Sequence, residues 1–385
     1  MRIYDGWEPL LDENSPQREK VLGSGGQGTV YLVRSPERAA KLLNAARDVP
    51  QLLNPSRRDL YDPSALGKSF ALLGEPDPPE SLGALKHFKI TSDDIAEEAK
   101  AMGRLESEVK ALTSLRGHPG VLRLLHANIT ERFIITEYHN RGTLDRHLRS
   151  YKGNVLAVLE AFRQLVDAVA KIHETSAIHR DIKPENIFVT AVNGLALGDF
   201  GIVFFQSGSE RLTTTYERVG SHEWMAPWAY KKEKLEFTKI NTALDIFPLA
   251  KVLWSMIAGQ NGFPFWEYSR DENNLEKLFP DDPIMKLVNE RVLSKRIVRD
   301  AQECDPSANS FLADVEGLID HIKNSRGYKQ KRTGAWPCRA CGIGSYKNGG
   351  HKVRGFREGG PLDRQNLDLY IHVCDHCGHA ELFAG

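Results

Sequence analysis

The stretch His179-Arg-Asp-Ile-Lys-Pro-Glu-Asn186 is followed, after a short apolar run typical of a β-strand, by Asp199-Phe-Gly201. Together the two pieces concentrate carboxylates, one lysine and one asparagine in a short length of chain. Any fold has to bring these side chains into a working arrangement with the motifs that precede and follow them.

A glycine-rich segment lies well upstream. Residues 23–30, GSGGQGTV, fit the pattern G-x-G-x-x-G-x-V through Gly23, Gly25, Gly28 and Val30. Residues without a Cβ let backbone amides approach phosphate groups closely, although an ordinary glycine-rich hairpin would look the same. A strand is predicted to continue to Lys41, which could neutralise phosphate charge, whereas a lone lysine is usually a solvated surface group.

The order and spacing of these motifs resemble the eukaryotic-type serine/threonine protein kinase family. The resemblance covers residues 17–322 and implies an α+β, two-lobed fold. The N-terminal lobe, to about residue 137, would be an antiparallel sheet plus a helix, and the C-terminal lobe, 139–322, would be mainly helical. The implied activity is transfer of the γ-phosphoryl group of ATP to serine or threonine hydroxyls of a protein substrate.

The resemblance also implies roles for the central residues. Asp181 would accept or orient the proton of the substrate hydroxyl, and Lys183 would offset charge on the transferred group. Asn186 and Asp199 would hold Mg²⁺, or Mn²⁺, because phosphoryl transfer depends mainly on positioning and charge stabilisation. A lysine two residues after the aspartate, followed by Pro-Glu-Asn, is similar to serine/threonine rather than tyrosine kinases.

The ATP contacts implied by the resemblance include the glycine-rich loop and a hinge at residues 137–139. Thr136 would stand at the back of the adenine pocket, unless it is simply an ordinary strand residue. The expected ATP-binding residues are Gly23, Gly25, Gly28, Val30, Lys41, Glu137, His139, Asn186 and Asp199.

Lys41 needs an anionic partner on the helix that follows it. Glu108 is favoured, because the family places apolar residues four and seven positions after its glutamate, and Glu106 is the alternative. The catalytic residues are thus expected to be Asp181, Lys183, Lys41 and Glu108.

Apolar spacing predicts the elements around these motifs. Spacings of three and four residues indicate helices over 95–115 and 155–173, and strands are expected at 121–125 and 133–136. The segment 42–94 holds six prolines, which interrupt regular structure, and is predicted to be an insertion.

The segment after Asp199 resembles an activation segment. Thr213, Thr214 and Thr215 could be autophosphorylated, and Arg180 is the kind of cation that would order the loop around a phosphate. A solvent-exposed polar loop is the alternative. Ser221 lies where the family has a Thr or Ser that contacts the catalytic Asp and Lys.

One departure from the family concerns a buried ion pair. Trp228 stands where the family has glutamate, and the resemblance implies that Asn309 takes the place of its arginine partner. Loss of both partners can be nearly neutral, so we interpret the change as structural. Asp245 resembles the helix aspartate that braces the catalytic loop.

The C-terminal region is predicted to be a separate module. A basic linker over 323–333 precedes a zinc-ribbon-like module over 334–385, where two C-x-x-C pairs each run into a glycine. Four thiolates suit a closed, tetrahedral and structural Zn²⁺ site; nearby histidines could substitute as ligands. The expected Zn²⁺ ligands are Cys338, Cys341, Cys374 and Cys377.

Composition narrows the class of protein. With 41% hydrophobic and 26% charged residues among 385, the chain can bury a core, which argues against disorder. Residues 323–385 carry eleven lysines and arginines against five acidic residues, so an acidic protein partner is expected there. No apolar run reaches membrane-spanning length and the start lacks the order of a secretion signal, so a cytoplasmic location without membrane contact is predicted.

Three alternatives to an active protein kinase stay open. A pseudokinase scaffold would lack a base or metal residue, and none is missing. A zinc-ribbon-mediated, nucleic-acid-binding regulator fits the basic tail, but the tail has few aromatics placed for stacking, so nucleic acid is not the expected partner. Small-molecule kinases are related but usually lack the Lys-Pro-Glu-Asn sequence.

Overall fold

The structure is a computed structural model and describes part of the chain. The described residues are 3–12, 15–25, 28–38, 81–88, 95–190, 194–205, 223–230, 241–263, 266–324, 336–337, 345–356, 366–374 and 380–384. The chain divides into two compact units. The first contains Met1–Asn140, Glu174–Arg180 and Gly198–Val219, and the second contains Arg141–His173, Asp181–Leu197 and Gly220–Gly385.

Strands and helices both occur, as an α+β fold requires. The strands are β1 Glu8–Pro9, β2 Leu11–Asp12, β3 Ser15–Glu19, β4 Val21–Gly25, β5 Gly28–Arg34, β6 Leu82–Phe88, β7 Leu124–Asn128, β8 Phe133–Glu137, β9 Ala177–Ile178, β10 Ile187–Val189, β11 Leu195–Leu197, β12 Phe204–Phe205, β13 Trp336–Pro337, β14 Ser345–Phe356, β15 Asn366–Cys374 and β16 Ala380–Ala384. The helices are α1 Ile95–Ser114, α2 Leu148–Tyr151, α3 Val155–Glu174, α4 Ala243–Ala258, α5 Leu275–Leu278, α6 Ile284–Arg291 and α7 Ala308–Asn324. None of the described helices combines the length and apolar character needed to cross a bilayer.

The first unit is built on an antiparallel sheet in the order β1-β5-β6-β8-β7, with β4 pairing to β5. Its core is a cluster of apolar side chains contributed by the N-terminal segment and by β5, β6 and β8. The cluster contains Tyr4, Trp7, Val33, Leu85, Phe133 and Ile135. The segment before the glycine-rich loop is therefore part of the sheet's core.

The predicted insertion over 42–94 is wrong in one respect, because β6 lies inside it. β6 is hydrogen-bonded to β5 on one side and to β8 on the other, so residues 82–88 form a central strand of the sheet. The strand predicted to reach Lys41 ends instead at Arg34, and the next described strand of the sheet begins at Leu82. Residues 82–88 are therefore a strand because they pair with β5 and β8, and the local sequence pattern does not indicate this.

The second unit has a helical part organised around α3 and α4. The positions of α3 that recur at helical spacing are buried, as the periodicity predicted, and all of α4 is buried. The helices predicted at 95–115 and 155–173 are confirmed as α1 and α3, and the strand predicted at 133–136 is confirmed as β8. The other strand is displaced from 121–125 to β7.

The end of the second unit is an antiparallel four-stranded sheet in the order β13-β14-β15-β16. Trp336 pairs with Tyr346, Tyr346 with Cys374, and Val373 with Ala380. The paired ends of β13, β14, β15 and β16 therefore meet at one end of this sheet.

We expect Trp7→Ala to destabilise the first unit by about 3–5 kcal/mol, because a large buried ring would be removed from the sheet's core. Trp7 is only 5% exposed, and denaturant unfolding would measure the loss. The control is Ile3→Ala, since Ile3 is 61% exposed and should change stability by no more than about 0.5 kcal/mol. Equal stability of the Trp7 variant and the wild type would show that the N-terminal segment is not part of the core.

Candidate active site

A lysine on β6 holds together the charged cluster of the first unit. The Nζ of Lys86 lies 2.9 Å from Oε2 of Glu108 and 2.9 Å from Oδ1 of Asp199. It also lies 5.0 Å from the centre of the Phe88 ring. One ammonium therefore binds two carboxylates from separate parts of the chain.

Helix α1 supplies Glu108. The helix turns Leu105, Ala111 and Leu112 into the core, and Glu108 lies on the same face, 3% exposed in its side chain. Glu106, the alternative in the sequence, is exposed. The choice of Glu108 thus agrees with the placement of the helix.

The lysine that pairs with Glu108 differs from the one predicted. Lys41 lies outside the described residues, and Lys86 occupies the position that was assigned to it. The physical reason is the register of the sheet: β6 lies beside β5, with Val30 opposite Lys86. Ala84-Leu85-Lys86 resembles Ala39-Ala40-Lys41 and lies closer in sequence to the helix that carries Glu108. That shorter separation along the chain could have identified Lys86 from the sequence.

Electrostatics keep Lys86 charged. Burial alone would lower the pKa of Lys86, but the carboxylates of Glu108 and Asp199 outweigh it and raise the pKa above its ordinary value. The ammonium form therefore persists throughout the physiological pH range, ready to attract phosphate oxygens.

Asp199 is presented by a backbone of unusual conformation. Its φ is +56°, and Arg180 has a φ of +69°; residues other than glycine adopt such values rarely and at a cost. Phe200 is buried and meets the His179 ring edge-on at 4.7 Å, and His179 Nε2 donates to the Gly198 carbonyl at 3.1 Å. These contacts fix the chain on both sides of Asp199.

Arg180 was expected to order a phosphorylated loop. Its Nε donates to the Ile202 carbonyl at 2.6 Å, and its guanidinium lies 5.6 Å from the Phe204 ring. Arg180 therefore contacts the start of the segment that leads to Thr213, Thr214 and Thr215, which lie outside the described residues, as does Ser221.

The second unit contains a separate polar cluster around Asp181. Lys183 Nζ lies 2.7 Å from Asp181 Oδ2, and Asn186 Nδ2 donates to the same oxygen at 2.8 Å and to the Asp181 carbonyl at 2.9 Å. A short 3₁₀ turn over Pro184–Asn186 brings the asparagine back to the aspartate. With its amide nitrogen used in this way, Asn186 offers its amide oxygen as the group suited to a cation.

Asp245 braces the helices of the second unit. Its carboxylate is fully buried and lies 2.8 Å from Nε2 of His173, at the end of α3. The second unit is thus anchored by a buried polar contact between α3 and α4.

Residues predicted for the hinge lie at the end of β8. The Glu137 carboxylate accepts from the Arg123 backbone at 3.0 Å and lies 3.4 Å from His139 Nε2. Burial opposes ionisation, but these partners lower the pKa of Glu137 overall. The carboxylate stays charged and fixes the path of residues 137–139; Thr136 precedes it in β8.

Of the two loop glycines whose surroundings the structure describes, Gly23 and Gly28, Gly28 is required by a close backbone approach. A Cβ on Gly28 would lie 2.2 Å from the His87 carbonyl oxygen, whereas one on Gly23 would meet nothing within 4 Å. Gly28 is needed for the β5–β6 pairing. Gly23 and Gly25 pair with Val30 and Gly28 in the β4–β5 hairpin.

No group of three or more His, Cys, Asp or Glu side chains suited to a metal occurs among the described residues. Cys338, Cys341 and Cys377 lie outside the described residues, and Cys374 is the last residue of β15. Asp199 and Asn186 have the carboxylate and amide oxygens that Mg²⁺ prefers.

Comparison with known proteins identifies the class. The protein kinase domain matches residues 79–323, which is more than half of the chain, so this protein belongs to the protein kinase family. The match begins just before β6 and includes Lys86, and it leaves the glycine-rich loop outside.

Named relatives are all kinases. The chain is similar to "Mitogen-activated protein kinase kinase kinase 5" of Arabidopsis thaliana, at 26% identity over 62% of this chain and 35% of that protein. It is also similar to "CBL-interacting protein kinase 22" of Oryza sativa subsp. japonica (31%; 45% and 40%) and to "Serine/threonine-protein kinase Nek11" of Mus musculus (34%; 64% and 32%). The chain spans well under half the length of these relatives.

We expect Lys86→Met to lower phosphate transfer from ATP at least about a hundredfold, because a preorganised charge next to the phosphates would be lost. The matched control is Lys41→Met, which should keep wild-type activity. Radiolabelled ATP with a generic protein substrate gives the measurement. Loss of activity in the Lys41 variant alone would show that Lys41, and not Lys86, is the lysine that binds the phosphates.

Proposed function

We propose that the chain is an active serine/threonine protein kinase, which transfers the γ-phosphoryl group of ATP to protein hydroxyls. The observation that carries the proposal is Lys86 held between Glu108 and Asp199, at 2.9 Å from each. The serine/threonine kinases among the relatives support the substrate class. Lys183, two residues after Asp181, supports serine and threonine as acceptors.

Each residue has a part that fits this reaction. Lys86 would hold phosphate oxygens, while Glu108 keeps the ammonium in place. Asp181 would take or orient the proton of the acceptor hydroxyl, and Lys183 would offset charge on the group in transfer. Asp199 and the amide oxygen of Asn186 would hold Mg²⁺ or Mn²⁺, which supplies positive charge to the phosphates.

A pseudokinase scaffold is the second candidate, and the chemistry disfavours it. The described residues include a lysine, its glutamate partner, both expected metal-binding side chains and the aspartate base. A chain that only displayed the fold would have no need to keep this set.

Activation-segment phosphorylation is a further part of the proposal. Thr213, Thr214 and Thr215 supply acceptor hydroxyls, and Arg180 lies against the start of that segment through Ile202 and Phe204. A phosphate on one of these threonines could pair with the guanidinium of Arg180, which already contacts the start of the same segment.

A structural Zn²⁺ in the C-terminal sheet is also proposed, on the strength of strand register. Cys338 and Cys341 belong to the connection between Pro337 and Ser345, which pair with each other. Cys374 and Cys377 belong to the connection that begins at the end of β15 and leads to Ala380, the partner of Val373. Because Tyr346 pairs with Cys374, both connections leave the sheet at the same end.

The partner of this sheet is proposed to be an acidic protein. The support is the excess of lysine and arginine over 323–385, which would steer an acidic surface toward it. A nucleic acid is the alternative occupant, and a cytoplasmic location stays a prediction.

We expect Asp181→Asn to lower transfer to a peptide by a factor of about 10²–10⁴, the usual contribution of a general base. Glu185→Gln is the control, because it removes the same charge from an exposed neighbour and should keep activity. Mass spectrometry of the purified proteins should find phosphate on Thr213, Thr214 or Thr215 in the wild type and in the Glu185 variant, but not in the Asp181 variant. Wild-type protein without transfer to any protein mixture would favour the pseudokinase, and phosphosites confined to regions outside 201–228 would remove the activation-segment part.

We expect about one zinc per chain, lost in the double variant Cys374→Ser with Cys377→Ser, because half of the thiolate ligands would be gone. Cys304→Ala is the control, since that thiol is buried elsewhere. Elemental analysis measures the metal, and transfer to a generic peptide should be retained because the site is structural. Zinc that persists in the double variant would contradict the assignment.

A further inference from the structure

Residues 4–7 form a small hairpin, the N-terminal hairpin, whose aromatic side chains lie against the main sheet of the first unit. Two hydrogen bonds, of 2.9 Å and 3.0 Å, join the backbones of Tyr4 and Trp7. Asp5 and Gly6 between them have φ values of +49° and +85°, as the Asp-Gly pair of a tight hairpin turn requires. Both aromatic side chains belong to the apolar core of that sheet.

Strand β6 receives the ring of Trp7 at Gly83. A Cβ on Gly83 would lie 3.0 Å from an atom of the Trp7 ring and 2.6 Å from Cγ2 of Ile135. The glycine therefore leaves a notch in the strand, and the Trp7 ring lies against it. The ring of Tyr4 lies edge-on to that of His87, with 6.3 Å between the ring centres. The N-terminal hairpin thus packs against β6 at two positions.

Lys86 lies between these two positions, on the other face of β6. Successive side chains of a strand point to opposite faces, and Leu85 is buried in the same cluster as Trp7. The Lys86 side chain projects to the opposite face, where its Nζ lies 2.9 Å from Oε2 of Glu108. The strand that carries this lysine is therefore held between the N-terminal hairpin and the helix of Glu108.

Polar contacts tie the N-terminal hairpin to other strands of the sheet. Oδ2 of Asp5 accepts a hydrogen bond from Nδ2 of Asn128 at 2.8 Å and lies 2.9 Å from Nε2 of His126, both in β7. Just after the hairpin, Glu8 forms an ion pair of 3.3 Å with Arg34 of β5. These contacts fix the hairpin on the sheet, as a support for β6 has to be.

We propose that the N-terminal hairpin positions Lys86 for phosphoryl transfer, by supporting β6 from the face opposite to its ammonium. The proposal rests on the proposed kinase activity, because a lysine displaced from Glu108 would meet the phosphate oxygens less well. The region matched by the protein kinase domain, 79–323, includes β6 and leaves the hairpin outside. Trp7 is accordingly a positioning residue that acts through Lys86.

The test is a double-mutant cycle of Trp7→Ala and Lys86→Met, read by transfer of phosphate from radiolabelled ATP to a generic protein substrate. Alone, Trp7→Ala should lower kcat about tenfold, because a displaced lysine stabilises the transferred group less well. In the Lys86→Met background the same change should lower kcat by less than about twofold, since the group through which Trp7 acts is gone. The control Ile3→Ala changes a side chain that is 61% exposed and should match the wild type.

A purely structural role of Trp7 gives a different pattern. If Trp7→Ala only unfolds part of the protein, it lowers the rate by the same factor with and without Lys86, and that result would overturn the proposal. An unchanged kcat in a folded Trp7→Ala protein would overturn it as well. Where the Lys86→Met protein transfers too slowly to measure, labelling of Lys86 by an acyl-phosphate derivative of ATP replaces the second arm, and equal labelling of the Trp7→Ala and wild-type proteins counts against the proposal.

A second variant covers the case in which Trp7→Ala does not fold. Trp7→Leu keeps an apolar side chain in the core but leaves the notch at Gly83 partly empty, and it takes the place of Trp7→Ala in the same cycle with the same criteria. A wild type that transfers no phosphate would instead overturn the kinase function on which the proposal rests.

Discussion

The ammonium of Lys86 is the interaction on which the first unit's chemistry depends. The side chain of Lys86 is 15% exposed and its ammonium contacts two carboxylates, so removal of either partner would leave charge uncompensated in a poorly solvated place. One cation therefore connects strand β6 with helix α1 and with the segment that contains Asp199. Asp199 is the more exposed of the two carboxylates, 37% against 3% for Glu108, so it is the one that a divalent cation would reach.

The second unit follows the same principle with a different set of groups. Asp181 is engaged by Lys183 and by the Asn186 amide, so the aspartate is oriented before any substrate binds. Phosphoryl transfer requires positioned charges more than covalent chemistry, and groups that are already fixed need no reorganisation during the reaction. The strained backbone at Arg180 and Asp199 is consistent with chain segments that are held for function.

The sequence correctly predicted the features that depend on a local pattern of residues. Helices α1 and α3 follow from apolar spacing, and Asp181, Lys183, Asn186 and Asp199 from their motifs. The sequence pattern did not identify Lys86, because the strand that carries it does not show the alternation of a half-buried strand. In β6 the buried side chains are Leu82, Leu85 and Phe88, which are spaced three residues apart. Only the pairing with β5 and β8 makes that segment a strand. The zinc ligands and phosphorylation sites fall mostly outside the described residues and stay predictions.

The buried or largely buried charges of Lys86, Arg296 and Lys251 are compensated by different kinds of partner. Lys86 has Glu108 and Asp199, and Arg296 has Asp305 at 3.2 Å and Asp314 at 2.8 Å. The fully buried Lys251 of α4 donates to the carbonyl oxygens of Glu223 and Phe263. The rings of Trp224, Phe247 and Phe263 lie within 6 Å of its Nζ. Carboxylates hold a cation in its charged form, as the raised pKa of Lys86 shows, whereas dipoles and rings leave it able to lose a proton near pH 8. Lys86 therefore stays charged, whereas Lys251 makes contacts whose strength varies with pH.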